Sequence, residues 1–200
     1  MPLITFLANG VIMNKKLPVI VALFFVMIIA SAQEAEKKET KEEGLKGTHR
    51  LSLVLGHSHL STGIQKNGKK GWKAVPSWGL DYDYWISNHW AIGLQTDLMI
   101  ETFEVEDHDN TVIERTKPIT IVGAAIFKPK EHISFVAGMG GEFASEGDYA
   151  LTRLGIESGW EIKNNWEFGI SLLFDIKWNA YNTWVFGFGI SKLLKKVRKS

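Results

Sequence analysis

The chain contains no cysteine, which excludes disulfides, thiolate zinc sites, a cysteine nucleophile and a lipid-modified N-terminal cysteine. It also lacks an excess of either charge. Lys and Arg number 23 against 22 Asp and Glu, a formal net charge of +1, so an electrostatic grip on nucleic acid is a poor reading. Mean hydropathy lies close to zero, which argues against a bundle of transmembrane helices. What is present is 200 residues, 45% hydrophobic and 22% charged, enough for one domain plus a tail and too apolar for general disorder. The unusual feature is a pairing of 19 glycines with eight tryptophans.

Leu17 to Ala30 is apolar and uncharged, follows Asn14, Lys15 and Lys16, and precedes the small-residue site Ala30-Ser31-Ala32. A basic start, an apolar run too short to span a bilayer comfortably and a small-residue site predict a signal peptide over residues 1–32. The residues before Met13 are apolar and precede the basic pair, the wrong order, so Met13 reads as the true start. An uncleaved anchor is the competing reading. Residues 33–46, almost all Glu and Lys, read as a solvated periplasmic tether.

From Thr48 onward apolar residues recur at period two, the signature of strands with two different faces. Trp72, Ala74, Pro76, Trp78, Leu80, Tyr82, Tyr84 and Ile86 share one face, against Lys73, Val75, Ser77, Gly79, Asp81, Asp83 and Trp85. The stretches from Trp90 to Glu101, Trp166 to Trp178 and Trp184 to Ser191 alternate in the same way, and those from Arg50, Ile133 and Ala150 less regularly. Ile119 to Phe127 is apolar on both faces, which leaves its register open. Pro76, lacking a ladder donor, is expected at a bulge or above the paired region. Tight turns at 87–88, 128–131 and 163–165 alternate with longer connections, above all 61–71 and 104–115. Short turns at one end and long loops at the other, joining an even number of strands, predict an all-β, eight-stranded antiparallel up-and-down transmembrane β-barrel over residues 47–194.

Volume decides which face points inward. The face rich in Trp, Phe, Leu and Ile has more bulk than an eight-stranded lumen holds, whereas glycines opposite it make room inside. A soluble lipocalin-like barrel or sandwich would reverse this arrangement. The bulky face is therefore read as lipid-facing. All tryptophans but Trp85 fall on it, with Trp90, Trp160 and Trp166 near the short turns and Trp72, Trp178 and Trp184 towards the loops, as two interfacial girdles.

With its signal peptide, alternation, turn asymmetry and girdles, the chain resembles the small eight-stranded outer-membrane barrels of the OmpA/OmpX-like superfamily over residues 46–194. The resemblance implies residence in the bacterial outer membrane. One departure is plain: such barrels often end on an aromatic residue, but here Trp184 to Ile190 is followed by a basic tail, with residues 195–200 expected in the periplasm.

The inward face is expected to carry Asp81, Asp83, Asp97, Glu101, Glu142, Glu157, Glu161, Glu167 and Asp175 against Arg50, Lys73, Arg153 and Lys177. Buried carboxylates need partners, so this reads as a hydrogen-bonded plug with Arg153 near its centre. The sharper reading of the acidic excess is cation passage. His57 and His59 flank Ser58, but in a regular strand they point to the opposite face, which argues against a serine hydrolase; a metal shared by the two histidines lacks a third ligand. The acidic loop Glu106 to Asp109 reads as solvated rather than metal-binding, and Lys66, Lys69 and Lys70 favour lipopolysaccharide phosphates without forming a site. No catalytic residue, metal or cofactor is expected. The expectation is a monomeric, non-catalytic barrel in contact with outer-membrane lipid and lipopolysaccharide, with a structural, adhesive or interaction role and loops 61–71 and 104–115 as the places for an extracellular ligand. A narrow cation pore and an outer-membrane lipid hydrolase are the alternatives.

Overall fold

A computed structural model describes residues 44–64, 68–106 and 110–194. The expected signal peptide, most of the tether and the basic tail lie outside the described residues, as do Lys66 and the loop tip 107–109. The strands are β1 (His49–Ile64), β2 (Lys70–Trp85), β3 (Trp90–Met99), β4 (Thr102–Glu106), β5 (Val112–Thr116), β6 (Ile119–Lys130), β7 (Ile133–Phe143), β8 (Tyr149–Glu161), β9 (Trp166–Lys177) and β10 (Asn182–Leu194).

Eight of them form a closed ring of antiparallel neighbours, β1-β2-β3-β6-β7-β8-β9-β10, with β10 returning to β1. Closure leaves no free edge in the wall, so the backbone can be satisfied without water. Turn chemistry supports this path. Asn164 and Asn165 both adopt positive φ, 57° and 60°, and Trp166 N–H donates to the Lys163 carbonyl at 3.1 Å, a tight hairpin matched to strand twist.

Side chains alternate across the wall. Leu53, Leu80, Ile92, Ile156, Leu172 and Phe188 stand exposed outside, while Ser52, Asp83, Gln95, Arg153 and Asp175 are buried inside. An apolar exterior encircling the barrel is stable in hydrocarbon and would aggregate in water. The chain is thus a closed, eight-stranded antiparallel barrel with an apolar outer wall, the transmembrane β-barrel architecture that the alternation predicted.

At three places the structure corrects or completes the sequence reading. Segment 104–115 is not an open loop: β4 and β5 form a hairpin that leaves the ring between β3 and β6 and meets β1 at Gly63 opposite Val105. Pro76 sits in register opposite His57 rather than at a bulge. Its carbonyl accepts from Ile100 N–H at 3.1 Å, and its missing donor faces that same position, just past the end of β3. The open register of β6 is settled with Thr120, Val122, Ala124 and Ile126 inward and Ile119 and Ile121 outward.

Candidate functional site

The lumen is the place where the fold concentrates polar chemistry. Near its centre Arg153, 1% exposed, forms a two-pronged pair with Asp175: Nε to Oδ1 at 2.7 Å and Nη2 to Oδ2 at 2.8 Å. Its remaining nitrogen donates to Gln95 Oε1 at 3.3 Å. Gln95 then donates to Glu157 Oε1 at 3.0 Å, and Glu157 Oε2 accepts from Arg50 at 2.8 Å. Arg50 also donates to Asp83 Oδ2 at 2.6 Å and Glu167 Oε1 at 3.3 Å. One continuous network thus runs from the middle of the barrel to its short-turn end, with planar guanidinium forks holding the carboxylates. A cavity of about 50 Å³ lies beside it, lined among others by Arg50, Asp81, Thr96, Asp97, Arg153 and Ser171. That exceeds the roughly 10–15 Å³ that a single water requires, so the cavity has room for water.

Below the network the lumen is shut. Trp85, the inward tryptophan, is 2% exposed and packs with Ala91, Ile126 and Val136, and Leu45 closes against this cluster. Leu45 is carried there by a reversal at Gly47, whose φ is 80°. Gly47 N–H donates to the Trp85 carbonyl at 2.8 Å, and Trp85 N–H to that of Thr48 at 3.0 Å.

Above the network the β4–β5 hairpin closes the other mouth. Phe103 and Val105 insert among Leu60, Val75, Met99 and Tyr181, all buried. From β5, Arg115 (1% exposed) reaches down to Glu142 (0%), with Nη2 to Oε1 at 2.8 Å. Tyr181 Oη donates to the same oxygen at 2.6 Å, and Lys177 Nζ lies 3.2 Å from Oε2. Arg115 Nη1 also donates to the Gly147 carbonyl at 2.7 Å. Burial, and then the Glu142 carboxylate, push the Tyr181 phenol well above its ordinary value, so it donates as a neutral hydroxyl.

Of the expected lumen charges, Asp81, Asp83, Asp97, Glu142, Arg153, Glu157, Glu167, Asp175 and Lys177 line the interior. Glu101 and Glu161 do not: both are exposed, Glu101 beyond the end of β3 and Glu161 at the last residue of β8. Ser58 is fully buried, with Oγ 3.3 Å from Ser77 Oγ and 3.4 Å from Asp97 Oδ2, while His57 and His59 lie on the other face. Among the described residues no group of three or more His, Asp or Glu is arranged to hold a metal ion. Trp72, Trp90, Trp160, Trp166, Trp178 and Trp184 are each 36–57% exposed on the outer face, towards the two ends of the wall.

Arg115, Tyr181 and Gln95 were not anticipated. The available signal was a second alternation, Phe103 and Val105 answered by Ile113 and Arg115 across a turn, hidden among Glu104, Glu106 and Glu114.

The sequence matches no protein-family profile and no curated protein sequence. Among solved structures the chain is similar to Ail, the attachment invasion locus protein of Yersinia pestis, at 14% identity and TM-score 0.47, covering 73% of this chain and 99% of Ail. It is also similar to Neisserial surface protein A (12%, TM-score 0.46, 74% and 99% covered). A further similar structure is the outer membrane protein OprG from Pseudomonas aeruginosa (12%, TM-score 0.43, 76% and 99%).

Proposed function

We infer that this chain is a bacterial outer-membrane barrel without catalytic activity, acting as a structural, adhesive or interaction protein through the hairpins that stand above the membrane. The observation that carries the reading is the hairpin folded into the outer mouth: Phe103, Val105 and Arg115 fill the space a solute would need. Trp85 and Leu45 do the same at the other end. A lumen shut twice favours a plug over the narrow cation pore. The buried Ser58, turned away from His57 and His59, gives a lipid hydrolase no support.

Chemistry at the surface accords with this role. β1 and β2 are 16 residues each, longer than the roughly 9–11 a tilted strand needs to cross hydrocarbon, so their upper part with Lys69 and Lys70 reaches the level of lipopolysaccharide phosphates. The hairpin beyond them presents exposed Glu104 and Glu114. The outward tryptophans at both ends suit the two interfaces as girdles.

The test is paired. Wild-type protein in planar bilayers gives no unitary conductance, and bacteria producing it adhere to or aggregate with one another or with host surfaces more than bacteria lacking it. Replacing 104–113 by an Asn-Gly turn removes that difference while heat-modifiable gel mobility persists. A steady cation-selective wild-type conductance transfers the reading to the pore.

A further inference from the structure

The wall between β2 and β3 contains a built interruption. The ladder pairs Ser77 with Met99 and Trp78 with Leu98, then resumes at Tyr82 with Leu94 in the same register. The rungs between, Gly79 to Asp81 against Gln95 to Asp97, carry no ladder pairing. Because Ile100 N–H donates to the Pro76 carbonyl, alternation makes Leu80 and Thr96 a rung that normally exchanges two backbone bonds. Side chains occupy it instead. Leu80 N–H donates to Thr96 Oγ1 at 3.0 Å, and that hydroxyl donates to the Leu80 carbonyl at 2.7 Å. Thr96 N–H donates to Asp81 Oδ1 at 2.9 Å. Gly79 permits this: a Cβ there would lie 2.6 Å from the Thr96 carbonyl oxygen.

The interruption lies against the internal cavity, which Gly79, Asp81, Thr96 and Asp97 help to line. The register shifts of the wall, at Leu60/Gly63 and Phe127/Lys130, lie towards strand ends instead. With both mouths filled by apolar clusters, the short path out of the cavity runs sideways.

We propose that this seam is a lateral portal between the bilayer and the internal cavity, latched by the Thr96 hydroxyl and the Asp81 carboxylate, which admits the polar end of a membrane-dissolved amphiphile. The occupant's class follows from the two sides. Outside, Trp78, Leu80, Leu94 and Leu98 are exposed to lipid and suit an aliphatic chain. Inside, the cavity of about 50 Å³ offers acceptors on Asp81 and Asp97 and the Ser171 hydroxyl. A head no larger than a hydroxyl fits, and it must donate a hydrogen bond while its chain stays in the bilayer. Exchanging two backbone bonds for side-chain ones also makes the seam easier to open than a continuous ladder.

The experiment uses the full-length mature protein in lipid nanodiscs with a long-chain alcohol bearing a diazirine next to its hydroxyl, and adducts mapped by mass spectrometry. Adducts on Asp81, Asp97 or Ser171, competed by unlabelled dodecanol and absent with the matching methyl ether, are expected. The chain has no native cysteine, so a Leu80→Cys/Thr96→Cys pair can be oxidised across the seam; closing it lowers interior labelling at least about tenfold, and reduction restores it. Adducts confined to Trp78, Leu80, Leu94 and Leu98, equal labelling by the ether, or interior labelling unchanged in the oxidised pair each overturn the proposal. Wild-type hydrogen exchange gives a second readout that needs no variant. Amides of Leu80 and Thr96 exchange at least about tenfold faster than those of Tyr82 and Leu94, as expected of a locally weaker ladder; equal or slower exchange overturns the opening.

Discussion

Replacing Arg115 by Met loosens the hairpin without dismantling the barrel. Arg115 and Glu142 are 1% and 0% exposed in their side chains, and removing one member of a buried pair costs about 3–5 kcal/mol. The lower end applies here, because Glu142 keeps Lys177 and Tyr181 as partners after the change. Closure retains the insertion of Phe103 and Val105, worth about 1.5–3 kcal/mol for each fully buried side chain, so the hairpin opens more often but stays mostly shut. At 1.4 kcal/mol per tenfold, a loss of about 3 kcal/mol raises the opening equilibrium roughly a hundredfold. Hydrogen exchange at Phe103, Val105 and Ile113 in nanodiscs reads that factor directly, while amides of β8 and β9 serve as the unchanged reference. Glu142→Gln is the harsher variant, since it leaves two buried cations without their counter-charge. The double variant costs less than the sum of the singles because the two side chains share one interaction. Exchange of the hairpin amides in Arg115→Met within twofold of wild type, or strict additivity in the cycle, would refute the latch.

Three other outcomes are expected. Excising the hairpin alone leaves planar bilayers silent because Trp85 and Leu45 still fill the inner end; combining the excision with Trp85→Ala produces conductance, and a silent double variant removes the two-seal account. A Cβ at Gly140 would lie 1.9 Å from the Ile121 carbonyl, whereas at Gly169 the nearest atom is 3.4 Å away; Gly140→Ala therefore costs about 1–3 kcal/mol by denaturant unfolding, and Gly169→Ala is tolerated. Hydrogen bonds from the Thr116 hydroxyl, the Ser145 hydroxyl and the Thr116 amide pull the exposed Glu146 carboxyl down to about 2. A depressed folded value places this staple's contribution above the ordinary carboxylate range of about 4.5, and it is lost as pH falls from there towards 2. The Thr116 amide resonance should titrate with a midpoint near the folded value of about 2, and Glu146→Gln should abolish the titration.

Much of the wall was legible because a membrane barrel writes its two solvents into period two. Trp72 to Ile86 needed no structure to be sorted into faces, and Trp85 was already on the inner one. The β6 segment resisted for a reason that the fold explains: Val122, Ala124 and Ile126 are inward yet apolar because they build the lower seal around Trp85. A rule that equates inward with polar fails wherever the lumen is plugged by hydrocarbon. Hairpin β4–β5 was hidden by its own solvent face, where Glu104 and Glu114 gave the appearance of a charged loop around buried Phe103, Val105 and Arg115. Glu101 and Glu161 were misplaced because phase continues on paper after a strand has ended, and strand ends are set by turns and neighbours rather than by alternation. The Arg50–Glu157–Gln95–Arg153 relay joins residues from three strands, β1, β3 and β8, a closure that only barrel curvature brings about.

Charge is layered along the same axis, and this decides how an opened barrel behaves. At the outer mouth Arg115 and Lys177 share the Glu142 carboxylate, so that group is formally positive; around the cavity Asp81, Asp97, Glu157 and Glu167 outnumber Arg50 and Arg153, so that layer is formally negative. In a low-dielectric wall each layer repels the ion the other attracts. Water that penetrated the apolar seals would still not carry a current of either sign easily. Removing Arg115 cancels the upper layer to Lys177 against Glu142 and leaves the acidic layer as the remaining filter. A barrel carrying the hairpin excision together with Arg115→Met and Trp85→Ala should therefore conduct cations in preference to anions, and reversal potentials under a KCl gradient that favour chloride would show that the layered charges do not control passage.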